Sequence, residues 1–309
     1  MIMENVMILF NETSGKDKGK ELAEQFVDYA KNHGQADTRF LLEQVGPDCD
    51  SQKIVEKSKL EKIDTLIFIG GDGTINHNVA DFKEELPHLK VGLLPGGTVN
   101  NMARVLEIPL KFEAAADVIL GGVTRKIDYG MINQKVIVST MTIGILADTA
   151  ARISQKEKQK YGKLIFVKNF FKLLAKKKRY RLEIKTEKEQ WQGKTQLVTV
   201  TMTNSVGGYT NFDDSASPDD GLFHLTILPK LNFFKLAFYL PKIILGKVYE
   251  IPDVKYMTAA EISIKSSNEK KIGTRVDGDP SEDLPVEMTV IKHGLTVFVP
   301  EAKKVILSK

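Results

Sequence analysis

The sequence predicts an α/β plus β protein: an N-terminal domain whose parallel sheet is covered by helices, then a mostly antiparallel β domain. Over roughly the first 125 residues, short apolar runs alternate with segments of helical periodicity, the βαβα order that makes strands parallel. From about Arg125 the segments turn β-rich, interrupted by two amphipathic stretches, as in an antiparallel domain. Glycine-rich turns close two of the N-terminal strands, which points to a ligand crevice at the carboxyl ends of that sheet.

Taken in order, VMILF (Val6–Phe10) is the first strand. The apolar start has no basic n-region and no small-residue cleavage site, so it is a strand and not a signal peptide. GKELAEQFVDYAKNHG is a helix, DTRFLL a strand and SQKIVEKSKLEK a helix. DTLIFIG, continuously apolar, is a buried strand, and the helix NHNVADFKEEL follows. KVGLLPGG is the next strand, VNNMARVLEI a helix beginning near Val99, and FEAAADVILGG another helix. Beyond these, RKIDYGMINQKVIVSTMTIGI, RYRLEIKTEKEQWQGKTQLVTVTMTNS, GLFHLTILPK, AAEISIKSS and VEMTVIKHGLTVFVP carry the β pattern. The expected boundaries are 1–125 and 126–297, with 298–309 packing back on the first domain; no Gly/Ser or Pro linker marks the join.

Composition narrows the function classes. A chain of 309 residues with 42% apolar content has ample core for two domains. Cys49 is the single cysteine, so no intrachain disulfide and no multi-cysteine zinc site is available, and the cytoplasm is the default compartment. The longest apolar stretch, LNFFKLAFYLPKIILGK, is broken by Lys235, Pro241 and Lys242, which excludes a membrane span. A net charge of +4 is too mild to argue for nucleic acid. His33, His77, His88, His224 and His293 show no metal-ligand spacing. Trp191 is most simply a core or hairpin residue.

In LIFIGGDGTINHNVA, three glycines (Gly70, Gly71, Gly73) lie between a buried strand and a helix. Lacking Cβ atoms, they let a ligand approach backbone N–H groups at a helix N-terminus, where negative charge is favoured. Asp72 in the same turn would repel a phosphate unless it caps backbone donors or works through a cation or a ribose hydroxyl; nucleotide with magnesium satisfies that combination. By itself, a glycine turn of this kind also occurs for packing alone. Pro95, Gly96, Gly97 and Thr98 form a second turn of the same design, and NETSGK (Asn11 to Lys16) ends the first strand with a lysine able to reach a phosphate.

GGDGT (Gly70 to Thr74), GTVNNMAR (Gly97 to Arg104), SGK (Ser14 to Lys16), SPDDGLF (Ser217 to Phe223) and VDGD (Val276 to Asp279) together resemble the diacylglycerol kinase catalytic family, over nearly the whole chain. The resemblance implies an N-terminal nucleotide-binding domain like that of NAD kinases and phosphofructokinases, a C-terminal antiparallel β-sandwich domain for the lipid substrate, and ATP- and Mg2+-dependent transfer of the γ-phosphate to a lipid hydroxyl in the cleft between them. Position by position it places Asn11, Ser14, Gly15, Lys16, Gly71, Asp72, Gly73, Thr74, Ile75, Asn76, Gly97 and Thr98 around ATP. Asp220 falls on magnesium with Ser217 and the Leu222 carbonyl, and Asp279 is the general base. Taken alone, SPDDGLF would be a polar hairpin turn.

Three positions depart from the family pattern: Asn101 stands for an aspartate, Asp279 for a glutamate, and His77 for a frequent glutamate. A base shifted by about 1 Å costs on the order of a hundredfold in rate, so a non-catalytic nucleotide- or lipid-binding regulator is the competing reading, and an NAD kinase a weaker one. Arg152 to Lys185 carries thirteen Lys/Arg against Glu157 and Glu183, with Leu164, Val167, Phe171 and Leu174 at helical spacing. It fits either a packed helix with a solvated basic face or peripheral contact with an anionic membrane surface. The resemblance implies a lipid acceptor, diacylglycerol or a related alcohol, and is compatible with a homodimer.

Overall fold

The computed structural model describes residues 3–12, 19–97, 99–144, 179–206, 212–228, 233–268 and 270–301. The chain divides into two compact units, Met1–Ile127 with His293–Lys309, and Asp128–Lys292.

In the first unit, β1 (Asn5–Phe10), β2 (Arg39–Gln44), β3 (Thr65–Gly70) and β4 (Lys90–Pro95) form a parallel sheet in the order β2-β1-β3-β4. The end of the last strand, at Thr296 and Val297, adds in parallel beside β4. β3 is buried at all of its positions, as expected for a continuously apolar strand covered on both faces. Helices α1 (Gly19–Asn32), α2 (Ser51–Leu60), α3 (Asp72–Phe82), α4 (Asn101–Val105) and α5 (Phe112–Gly121) follow the strands. α1 packs beside α5 and α2 beside α3. Right-handed crossovers place α1 and α2 on opposite faces of the sheet, because the chain moves in opposite directions from β1 to β2 and from β2 to β3. α1 buries Ala23, Phe26 and Ala30 along one stripe, and removing the Phe26 ring from water contributes roughly 2–3 kcal/mol. α4 starts at Asn101 and not near Val99, because Asn100 adopts the left-handed conformation (φ 54°, ψ 52°) that no helix can continue through.

The second unit is a β-sandwich. One sheet has the order β12-β11-β10-β7-β14-β15: Lys255–Ala259, Phe223–Leu228, Leu197–Thr201, Thr140–Gly144, Gly273–Val276 and Asp279–Asp283. The facing layer contains β5 (Thr124–Ile132), β6 (Lys135–Ile137), β8 (Tyr180–Thr186), β9 (Gln190–Thr195), β13 (Glu261–Ser266) and β16 (Val286–Phe298). Their inner faces meet in one core, Ile184, Ile264 and Val286 against Met141, Val200 and Leu225. Trp191 packs on its margin from the β8–β9 hairpin. A further helix, α6 (Phe233–Ile244), contains Pro241, and its Tyr239 packs with Leu197, Leu228 and Val254 in a smaller apolar cluster. Among the described residues no helix is long and apolar enough to cross a membrane.

Candidate functional site

In the first unit the strand order reverses between β1 and β3, and the crevice beyond such a reversal is where open α/β sheets hold ligands. Asn11 follows β1 at that edge, with its carbonyl against Gly19: a Cβ on Gly19 would lie 2.7 Å from the Asn11 oxygen. Next to it, Gly70 ends β3 in register with Pro95, and Gly96 N–H donates to the Gly70 carbonyl at 2.8 Å. The two predicted turns touch backbone to backbone. A Cβ on Gly97 would lie 2.4 Å from Gly71 Cα, and one on Gly71 2.9 Å from Gly97 Cα, so no side chain fits at either position.

Asp72 resolves the question its charge raised. Its Oδ2 accepts the Asn101 N–H at 3.0 Å and its Oδ1 the Met102 N–H at 3.1 Å. The carboxylate therefore caps the start of α4 and leaves the backbone donors of α3's first turn to a ligand, since the first N–H groups of any helix lack intrahelical partners. Thr74 and Ile75 are buried, while Gly73 and Asn76 are half-buried. Asn100, which sequence reasoning passed over, ties the second turn: its Oδ1 accepts from Gly97 N–H at 2.9 Å and its Nδ2 donates to the Gly97 carbonyl at 2.8 Å. An asparagine after a Pro-Gly-Gly turn is the available signal, because Asn tolerates the left-handed region. Asn101 is buried and supplies its backbone N–H to Asp72. His77 is exposed on α3.

In the second unit Ser217, Asp220 and Leu222 share one turn. Asp220 Oδ2 accepts hydrogen bonds from the Ser217 N–H at 2.8 Å and from His224 Nε2 at 2.9 Å, and its Oδ1 accepts the Leu222 N–H at 2.9 Å. Gly221, at φ +74°, donates to Asp128 Oδ2 at 2.6 Å, and Ser217 Oγ donates to Asp219 at 2.6 Å. The turn reading and the site reading of SPDDGLF are thus compatible.

Behind this turn lies a buried polar group with no counterpart in the sequence reading. Tyr256 Oη donates to Asp213 Oδ2 at 2.7 Å, leaving it to accept from His224 Nδ1. Both imidazole nitrogens are then donors, which requires the cation. Burial pushes His224 down, but hydrogen bonds to Asp213 and Asp220 outweigh it and raise the group to about 9. Burial likewise pushes Asp213 up, and its bonds from His224, Ser215 and Tyr256 overcome that and hold it low.

Val276–Asp279 closes the β14–β15 hairpin, with Asp279 exposed opposite Val276. Asp277, and not Asp279, is the anchored carboxylate: it accepts N–H groups from Val138, Ser139 and Thr140 at 2.9, 2.8 and 2.8 Å. Strand register links the two turns. His224 pairs with Thr201, Thr201 with Thr140, and Asp277 N–H donates to the Thr140 carbonyl. Both turns therefore open on one end of the six-stranded sheet, three strand spacings or ~14 Å apart.

Among the described residues no three His, Cys, Asp or Glu side chains converge as a metal cluster. A magnesium ion at the Ser217–Leu222 turn would rest on hard oxygen donors: the remaining lone pair of Asp220 Oδ1, the Ser217 hydroxyl and the Leu222 carbonyl. The donor chemistry fits, and the His224 cation sits on the opposite carboxylate oxygen. Ser14, Gly15, Lys16 and Thr98 lie outside the described residues, as does most of the basic segment, including Leu164, Val167, Phe171 and Leu174.

Comparison with known proteins bears on the family and the fold. Residues 5–132 match the diacylglycerol kinase catalytic domain, and residues 139–299 the YegS C-terminal NAD kinase beta sandwich-like domain. A diacylglycerol kinase of Staphylococcus aureus (strain bovine RF122 / ET3-1) is 31% identical over 95% of this chain and 91% of its own. One from Staphylococcus epidermidis (strain ATCC 12228 / FDA PCI 1200) is 29% identical over 95% and 92%. The crystal structure of a diacylglycerol kinase from Bacillus anthracis str. Sterne superposes with TM-score 0.79 over 98% of this chain and 99% of that one, at 20% identity, a likeness of fold.

Proposed function

This chain belongs to the diacylglycerol kinase catalytic-domain family, and from that premise we propose that it is an ATP- and magnesium-dependent lipid kinase acting on a hydroxyl of diacylglycerol or a related lipid. The observation that carries the nucleotide half is the Gly71–Gly97 contact, which sets two glycine turns edge to edge at the strand reversal. In this reading Asn11, Gly71 to Asn76 and Gly97 cradle ATP through backbone donors, and Ser14, Gly15, Lys16 and Thr98 complete the cradle. Phosphoryl transfer needs positioning and charge stabilisation and little covalent chemistry, which suits a site built of amides.

Ser217, Asp220 and the Leu222 carbonyl would hold magnesium, which would offset phosphate charge. Asp279 takes the proton of the acceptor hydroxyl; a new O–P bond forms to the γ-phosphorus, the β–γ bridge bond breaks, and ADP leaves. Asp279 suits the role because it is exposed and its carboxylate, among the described residues, accepts no hydrogen bond, whereas the Asp277 carboxylate is committed to three amides. His224 orients Asp220 from behind. The protein works in the cytoplasm at the membrane surface.

The test is transfer from γ-labelled ATP into a panel of lipids in mixed micelles, with and without Mg2+, and into NAD. The expected product is a phosphorylated lipid formed only with Mg2+. Labelled NADP without labelled lipid would replace the reading by an NAD kinase, and ATP binding by calorimetry without any turnover would replace it by a regulator.

A further inference from the structure

Lys292 lays an ammonium group on the Ser217–Leu222 turn. A Cβ placed on Gly221 would lie 2.5 Å from Lys292 Cε and 2.9 Å from both Cδ and Nζ. The end of the lysine therefore runs along the turn backbone, in the space that a side chain at 221 would take. Gly221 also adopts φ +74°, so conformation and contact both demand glycine there. The turn itself is fixed on β5: the Pro218 carbonyl accepts the Asp128 N–H at 2.7 Å, and Gly221 N–H donates to Asp128 Oδ2 at 2.6 Å.

An irregular strand puts the lysine in this place. Along β16 the buried Val286, Met288 and Val290 alternate with the exposed Glu287 and Thr289, and that period of two assigns Lys292 to the buried face. The alternation stops there. Lys292 and His293 are both exposed, and His293 adopts φ +53°, a left-handed conformation foreign to an extended strand. Irregularities of this kind re-aim a side chain.

The turn's own metal carboxylate does not take up the charge. Asp220 is engaged by the Ser217 N–H, the Leu222 N–H and His224, and among the described residues Lys292 enters no ion pair and donates no hydrogen bond. Most exposed lysines are simply solvated on a flexible stem. This one is laid along a glycine at the very turn whose oxygens suit magnesium.

We propose that Lys292 is a phosphate-binding residue of the transfer reaction, its ammonium contacting a terminal phosphoryl group, either the γ-phosphate of ATP or the phosphate of the lipid product. Lysine meets phosphoryl oxygens as a compact point charge, and a fixed cation beside the group in transfer stabilises the charge that spreads over its oxygens. The proposal rests on the lipid-kinase reading and adds to it a cation that meets the transferred group.

Calorimetry on the full chain with Mg2+ compares wild type with Lys292→Met, which keeps most of the stem and loses the charge. The two proteins are titrated with ATP, ADP, a short-chain phosphatidate and the matching short-chain diacylglycerol. Lys292→Met should bind ATP about tenfold more weakly or worse, the loss of one charged hydrogen bond, and ADP within about twofold of wild type. Its melting temperature should be unchanged because the residue is exposed, and lipid phosphorylation in micelles should fall at least about tenfold. A loss for phosphatidate that diacylglycerol does not share also upholds the site and assigns the contact to the product. Equal losses within each pair, or none in either, overturn it, since a merely structural role would weaken both members alike. Wild type that binds ATP but phosphorylates no lipid rejects the kinase reading alone, and the difference between ATP and ADP still decides on Lys292. Wild type that binds none of the four rejects both.

Discussion

The glycine edge of the first unit and the turn edge of the second are built from opposite materials. At the glycine edge of the first unit, Gly71 and Gly97 meet through backbone atoms, and the one charge, Asp72, is spent on two amides of α4. At the turn edge of the second unit, Asp220, His224, Asp213 and Tyr256 form a chain of buried or half-buried polar side chains behind the Asp-Gly turn. The first edge tolerates no added atom. The second tolerates no lost charge, because removing one member leaves another buried without its partner. Sterics thus protect the proposed nucleotide cradle, and electrostatics the turns proposed for metal and base.

The sharpest break of that contrast is Gly97→Ala. Its Cβ would lie 2.4 Å from Gly71 Cα and 2.7 Å from Asn100 Oδ1, so the turns must part. Overpacking of this kind costs about 1–3 kcal/mol, and displacement of the cradle should lower phosphoryl transfer by on the order of a hundredfold or more. Gly121→Ala, in α5 with open space around its Cβ position, is the control and should stabilise by about 0.4–1 kcal/mol. Thermal melts and ATP calorimetry on both check the steric claim.

Asp72→Ala comes next. It removes both acceptors at the start of α4, costing about 1–2 kcal/mol, and should depress transfer strongly through the loosened second turn. Asp72→Asn, which keeps one acceptor, should fall between the two in melting temperature; an Asn variant as stable and active as wild type would show that the cap is not what holds the edge.

On the charged edge the decisive variable is pH. His224 is held at about 9 against roughly 6.5 in an unfolded chain. A raised value means that the stabilisation is complete below about pH 6.5 and is lost as pH rises through about 9, about 3 kcal/mol in all. Urea unfolding of wild type and His224→Gln at pH 6 and pH 10 should converge at the higher pH. A constant difference would mean that His224 acts through packing alone.

The smallest expected effect is Asp279→Glu. One added methylene carries the proposed base toward the acceptor, and because Asp279 is exposed the longer side chain has room; turnover should rise severalfold. Asp220→Asn should move turnover and magnesium dependence the other way. Rates moving together would break the division of roles between the two turns.

The sequence by itself determined the order of elements, the change from helix-covered parallel strands to antiparallel strands, and the residues of both glycine turns, because hydrophobic period and glycine freedom are local properties. The tertiary structure alone decided what the charges do. Asp277 accepts from amides 137 to 139 residues away, Asp72 from amides 29 and 30 residues away, and His224 lies between Asp220, Asp213 and Tyr256 through strand pairing. Such partners are set by register between strands distant in the chain, and register leaves no mark in local composition.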